Sequence, residues 1–367
     1  MESLNINQKT IAWLNSANNI SNKKIEYILN YFNGNPKDAW DNFAKEKPNL
    51  KLDNEAVNYL TNSKDNFEES FIKKLKSEKA KIVTLLDNHY PKKLREIEDP
   101  PYILYYKGSL EKINNLSIAV VGSRKATSYG KWAAEKFTAE LSEHGVNIIS
   151  GLAFGIDAIA HKTALKSNAV TIGIIGCGID IIYPKSNEHL YSEITEKSGA
   201  VITEYPFGMQ PLPNNFHARN RIISGLSHGI LVIEAQEKSG TLITAGHAAN
   251  QGREIFAVPG NIDSLYSKGT NALIKDGAKI TTSIDDIIEE IIELKEKVKQ
   301  KQNFIDYSIL TDDEMKIVNC LKSGCKTIYE LNKETKIETG NLLSLLTMLE
   351  VKGSVKQLTG NKFMLDT

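Results

Sequence analysis

From residue 80 onward the chain repeats one pattern. A short run of Val, Ile and Ala leads into a turn carrying Gly, Ser or Asn, and then into a stretch with apolar positions three and four apart. The apolar runs fall at 81–86, 117–121, 146–150, 170–175, 200–203, 230–233 and 255–258, with helical stretches such as 130–144, 157–166 and 241–251 between them. Near-continuous apolar strands are those buried on both faces, and their alternation with helices predicts a parallel sheet covered on both sides. The expected fold class is α/β, a doubly wound, Rossmann-like sheet, entered through the extended segment at Pro100-Pro101.

Two smaller segments flank this domain. Within residues 1–68, Ile25, Ile28, Leu29 and Phe32 mark one helix face, and Gly34-Asn35-Pro36 ends that helix. Residues 17–25 are similar to a helix-hairpin-helix turn, whose glycines offer backbone amides to DNA phosphate; here asparagines stand in those places. Asparagine tolerates the left-handed conformation. A structural module of the SAM or helix-hairpin-helix kind is expected, with a phosphate contact as the alternative. At the other end, 312–321, 327–333 and 340–351 read as helices and 354–364 as a hairpin around Thr359-Gly360-Asn361, the order of a winged helix. Its third helix has no arginine and only Lys352 near its end, whereas major-groove reading uses Arg, Lys, Asn or Gln. A protein contact or a packing role is favoured there over base reading. Ile284, Ile287, Ile288, Ile291, Ile292 and Leu294 form a further apolar stripe, expected to pack on the sheet edge or to meet a partner. The division expected is a helical module at 1–68, the Rossmann-like domain at 69–300 and the wing at 306–367.

Composition narrows the function. The 45 basic and 45 acidic residues cancel, so no global field draws the chain to nucleic acid or lipid, and any anion must be bound locally. Only five of the basic residues are arginines: Arg95, Arg124, Arg219, Arg221 and Arg253. Lysine is thus the background, and an arginine kept in a strand-to-helix turn marks a place where a planar fork matters, as in gripping phosphate oxygens. The three cysteines, Cys177, Cys320 and Cys325, fit neither a disulfide framework nor a metal set. Neither an apolar run long enough for a bilayer nor a signal peptide is seen, so a reduced cytoplasmic protein without membrane contact is expected.

The candidate chemistry lies in the turns, because open parallel sheets bind ligands beyond the carboxyl ends of their strands. Gly122-Ser123-Arg124-Lys125 follows one strand and combines a backbone nest, a hydroxyl and a cationic fork. Gly151, Phe154 and Asp157 follow the next, and Ser239-Gly240-Thr241 opens a later helix. In Phe216-His217-Ala218-Arg219-Asn220-Arg221, a rotation of about 100° per residue puts Arg219 with Ile222, Ile223 and Leu226, and Arg221 nearly opposite. Phe216, Phe154, Tyr129, Tyr205 and Phe207 bring aromatic faces to these turns, which suits stacked bases of a single strand as well as ordinary packing. A dinucleotide or nucleotide cofactor is not expected: the first strand leads to Gly-Ser-Arg-Lys, Gly176-Cys177-Gly178 has Ile181 at the third glycine position, and no P-loop occurs. Asp157 and His161, one helical turn apart, and Glu234 at a strand end leave a hydrolytic pair open beside a simple helix cap with a satisfied histidine.

These motifs together resemble the DNA processing protein A (DprA or Smf) family of bacteria. The resemblance is carried by VVGSRKATSYG from Val120, SGLAFGIDAIAHKTAL from Ser150, GCGIDIIYPKSN from Gly176, TEYPFGMQPLPNNFHARNRIISGLS from Thr203, IEAQEKSGTLITA from Ile233, GREIFAVPGN from Gly252 and GTNALIKDGA from Gly269. It spans about residues 80 to 280. It implies a non-catalytic, homodimeric protein of natural transformation that binds single-stranded DNA and passes it to RecA, including on strands covered by single-strand-binding protein. Carried over residue by residue, the phosphate site would involve Gly122, Ser123, Arg124, Arg219 and Arg221, with Phe216 at a base. Lys125, Gly151, Asn220, Ser239, Gly240 and Thr241 complete the expected phosphate track, and Phe154 the stacking set. His217 departs from the family, which shows proline there. The competing resemblance is to Rossmann-like nucleoside-monophosphate phosphoribohydrolases, but their P-G-G-x-G-T-x-x-E signature is absent from 234–245.

Overall fold

A computed structural model describes residues 3–18, 20–197, 199–302 and 310–365. The apolar runs become β1 (Lys81–Thr84), β3 (Ser117–Val121), β4 (Asn147–Ser150), β5 (Thr171–Ile174), β6 (Ala200–Thr203), β7 (Gly229–Val232) and β8 (Glu254–Ala257). Two strands escaped the pattern, β2 (Ile103–Gly108) and β9 (Lys279–Ile280). The order in the sheet is β1-β2-β6-β5-β4-β3-β7-β8-β9. Strands β3 to β9 run parallel, while β2 is antiparallel to both β1 and β6. Every position of β3 to β7 is buried, as near-continuous Val/Ile runs require. The chain steps outward from β3 through β4 and β5 to β6, then returns to place β7 on the other side of β3. That reversal is a topological switch point, and the crevice it opens lies beyond the carboxyl ends of β3 and β7.

Helices Ile6–Ser16, Asn22–Tyr31, Pro36–Glu46 and Asn54–Ser77 form the N-terminal module. Trp13 is its centre, edge-on to Trp40 and Phe43, with its indole N–H donating to the Leu60 carbonyl at 3.1 Å. The boundary expected at residue 68 falls inside helix Asn54–Ser77, because Phe67, Phe71 and Leu75 carry its apolar face onward. Phe71 meets Tyr105 of β2 with ring centroids 6.1 Å apart, and one core joins the module to the sheet. The chain therefore divides into two compact units, Met1–Ile291 and Ile292–Thr367. The boundary expected at 300 falls inside helix Ile292–Gln302, and that at 306 lies outside the described residues.

The second unit holds helices Asp312–Leu321, Ile328–Thr335 and Thr339–Val351 and a three-stranded sheet of Lys326–Thr327, Lys362–Leu365 and Val355–Leu358. Ile317, Leu331, Leu342, Leu346, Leu349 and Phe363 form its core. Lys352, the cation closing the third helix, is bound to both oxygens of Glu314 at 2.7 and 2.8 Å.

Candidate nucleic-acid interface

The turn after β3 is pinned from two sides. Gly155 adopts φ +74°, and a Cβ there would lie 2.2 Å from the Ser123 carbonyl, so only glycine lets the turns after β3 and β4 abut. On the other side the buried Glu234 carboxylate accepts from the Thr127 amide at 3.1 Å and from the Thr127 hydroxyl. Thr127 in turn caps helix Ser128–Glu143 through the Gly130 amide. Between these anchors Arg124 is exposed, and among the described residues no hydrogen bond or ion pair holds its guanidinium. It lies over the Phe216 ring, 5.8 Å from the centroid.

Phe216 sits in the first turns of helix Pro213–Gly225 and has a second guanidinium, Arg219, also at 5.8 Å. Arg219 is buried, and its Nη1 donates to the carbonyls of Gly151, at 2.7 Å, and of Ile174. Burial pushes its pKa down to about 10, opposed by Asp157, so the cation persists at neutral pH. Asp157 accepts from the amides of Gly151 at 3.1 Å and Ala153 at 3.4 Å. A side chain at Gly151 would collide with Arg219 Nη2 and Asp157 Oδ2, each 2.7 Å from its Cβ position. The two arginines thus differ: Arg124 is a free fork at the surface, and Arg219 is a fixed charge beneath it.

One cavity of about 430 Å³ gathers Gly122, Ser123, Arg124, Lys125, Phe216, Arg219, Asn220, Ser239, Gly240 and Thr241 at the switch point. The Ser239 hydroxyl is buried without a hydrogen-bond partner among the described residues. Asn220 reaches the Gly240 carbonyl at 3.3 Å and ties this helix start to helix Pro213–Gly225. Gly151 lies below the cavity, and Phe154 is exposed on the neighbouring turn.

Arg221 is not brought to this site. It lies on the opposite face of its helix, as the helical spacing requires, and pairs with Glu204 at 2.5 Å and Asp99 at 3.4 Å. The family resemblance puts Arg221 at a phosphate, whereas here its guanidinium is held by these two carboxylates. Nor do Tyr205 and Phe207 reach the site: Phe207 packs on Phe71 and Tyr105, and the Tyr205 hydroxyl donates to the Asn215 carbonyl. In the hairpin similar to a helix-hairpin-helix, Asn18 is exposed and Asn22 donates to the Glu204 carboxylate at 2.8 Å, while Asn15 of the preceding helix donates to the Glu204 carbonyl at 3.4 Å. The isoleucine stripe is interrupted at Ile291, which is extended, and Ile287 and Ile291 are buried. Tyr183 went unnoticed in the sequence: its ring stands 5.4 Å from that of Phe216 and widens the aromatic floor.

The possible hydrolytic groups are otherwise engaged. Glu234 holds Thr127, and Asp157 holds backbone amides. His161 is fully buried, with Nδ1 2.7 Å from the Thr171 hydroxyl, and burial pushes its pKa down to about 3. Because this folded value lies below the ordinary one near 6.5, the unfolded chain binds the extra proton between them, and stability falls as pH drops from 6.5 toward 3. Denaturant titrations from pH 7 to 5 are expected to show His161→Gln lacking about 1.4 kcal/mol per pH unit of the parent's slope below pH 6.5. Equal slopes would mean that His161 protonates in place. Among the described residues no cluster of His, Cys, Asp and Glu is arranged to hold a metal ion, and no helix is long and apolar enough to cross a membrane.

The doubly wound sheet, with an arginine fork, an aromatic floor and two helix starts around its switch point, belongs to the open α/β class. The chain belongs to the DNA recombination-mediator protein A family, whose model matches residues 81–292. It is 45% identical over 207 residues to the DNA processing protein DprA of Streptococcus pneumoniae, covering 56% of this chain and 73% of that protein. It is 44% identical over 202 residues to the protein Smf of Escherichia coli, covering 55% of this chain and 54% of that one, so the match spans about half of the latter's length. The crystal structure of the Streptococcus pneumoniae protein covers 79% of this chain and 99% of its own at 35% identity and a TM-score of 0.66. DNA processing protein A from Helicobacter pylori, described for its single-stranded DNA binding mode, covers 58% of this chain and 96% of its own at 32% identity and a TM-score of 0.52.

Proposed function

We propose that this chain is a non-catalytic single-stranded DNA-binding protein that protects incoming strands and helps load RecA, as a cytoplasmic homodimer needing no cofactor. The observation that carries this reading is the unpaired, exposed Arg124 over Phe216 at the mouth of a polar cavity. Gly122, Ser123, Arg124 and Lys125 would take one phosphate, and the helix start at Ser239, Gly240 and Thr241 another, with Arg219 supplying fixed charge from below. Phe216 and Tyr183 would carry a base, and Phe154 the next. The single-stranded DNA binding of the Helicobacter pylori relative supports the substrate class. The parts played by RecA, single-strand-binding protein and dimerisation rest on the family resemblance.

Binding to oligothymidine is expected to exceed binding to a duplex of equal length and to be indifferent to sequence. Its logarithm should fall with that of salt concentration with a slope of about −0.7 per phosphate held, hence roughly −1.4 for two. Fluorescence anisotropy over a salt series measures this, and a preference for duplex at every salt concentration would overturn it. For the hand-over, strand exchange by the cognate RecA on DNA precoated with single-strand-binding protein should accelerate when this protein is added.

A further inference from the structure

We propose that a strand bound at Arg124 continues onto Tyr129 and Trp132, an exposed aromatic ledge on the first turns of helix Ser128–Glu143 that stacks the bases that follow. The inference rests on the single-stranded DNA reading above and extends its site. Trp132 is 54% exposed and Tyr129 44% exposed, although rings of this size are ordinarily buried in cores or contacts. The two rings lie 5.9 Å apart with a tilt of 32°, so they form one surface. The Tyr129 hydroxyl donates to the Pro259 carbonyl at 3.0 Å, which fixes the ring and places it just beyond the carboxyl end of β8. Lys136 stands 5.6 Å from the Trp132 centroid, and Lys125 and Lys131 are exposed nearby.

Chain geometry keeps the Cα of Tyr129 within about 18 Å of that of Arg124, since they are five positions apart. The same pin that orients Arg124 also sets the ledge, because Glu234 holds Thr127, the cap of the ledge's own helix. Lysine is depleted from the cores of protein interfaces. Aromatic faces framed by lysines instead suit a polyanion with a π-face on every unit, where stacking is worth about fivefold to a hundredfold in affinity per base.

The protein carries its own probe. Of its three tryptophans, Trp13 is buried and Trp40 half-buried in the N-terminal module, so a strand on the ledge reaches Trp132 alone. Intrinsic emission of the full chain is followed with oligothymidines of about 4 and about 16 nucleotides, lengths that bracket a single binding site, and anisotropy of labelled copies gives affinity independently. The long oligomer should quench emission and the short one should not. Trp132→Ala should weaken the long oligomer about tenfold and leave the short one unchanged, and Trp132→Phe should restore most of the loss. If the long oligomer binds with emission unchanged and Trp132→Ala matches the parent, the ledge is overturned while the Arg124 site stands. A change in sedimentation of Trp132→Ala with DNA affinity unaltered would overturn it in favour of a contact between copies. If the parent binds neither oligomer, this inference and the reading beneath it fall together.

Discussion

Arg124→Ala is expected to weaken binding of a short oligothymidine about thirtyfold, the equivalent of about 2 kcal/mol for a charge-assisted contact. The side chain is exposed and unpaired, so its loss leaves no buried group stranded and the fold should be unaffected. Arg124→Lys is the sharper test. It keeps the charge and therefore the salt slope, but loses the planar fork and the guanidinium face above Phe216, and should recover only a fraction of the affinity. Anisotropy titrations over a salt series separate the two effects. Arg219→Lys should behave differently: one nitrogen, Nη1, already serves both the Gly151 and Ile174 carbonyls, but the ammonium lacks the second arm, Nη2, that packs on Gly151 beside Asp157, so that variant should first lose stability. If Arg124→Lys binds like the parent at every salt concentration, charge alone holds the strand and fork geometry is irrelevant.

The strands β3 to β7 were legible within about a residue or two because each is buried on both faces and so reads as an unbroken apolar run. β2 was not, because Ile103–Gly108 mixes Ile and Leu with Tyr, Lys and Gly, and its partner β6 is nearly a hundred residues away. No local pattern encodes such a pairing. That Gly122, Ser123, Arg124, Ser239, Gly240 and Thr241 gather at one end of the sheet was legible too, since each of these turns follows a strand. Which arginine is free was only half legible. The helical spacing separates Arg221 from Arg219, yet nothing local says that Gly151 and Ile174 lie over the Arg219 fork or that Glu204 waits for Arg221. Tyr183 was hidden for the same reason: it gains its role from Phe216, which is distant in sequence. The boundary expected at 68 lies near a change in composition, whereas helix Asn54–Ser77 follows its apolar face across that point.

Arg221→Ala is expected to cost about 3–5 kcal/mol of folding stability, the typical penalty for removing one partner of a buried ion pair. Glu204 is buried at the end of β6 and takes hydrogen bonds from Arg221 at 2.5 Å and Asn22 at 2.8 Å. Without Arg221 its carboxylate keeps only the amide of Asn22, and Asp99 loses its partner at 3.4 Å. The cluster also joins the N-terminal module to the sheet, so the loss should appear as a lower denaturant midpoint for the whole first unit. Replacing both members, Arg221→Met with Glu204→Gln, should regain much of it, because no charge is then left buried alone. DNA binding supplies the second readout. Arg221 points away from the face that carries Phe216 and Arg219, so the folded Arg221→Ala variant should lose far less affinity for oligothymidine than Arg124→Ala does. A variant as stable as the parent but as poor a binder as Arg124→Ala would make Arg221 a phosphate ligand after all, and would require helix Pro213–Gly225 to turn that face to the strand when DNA is bound.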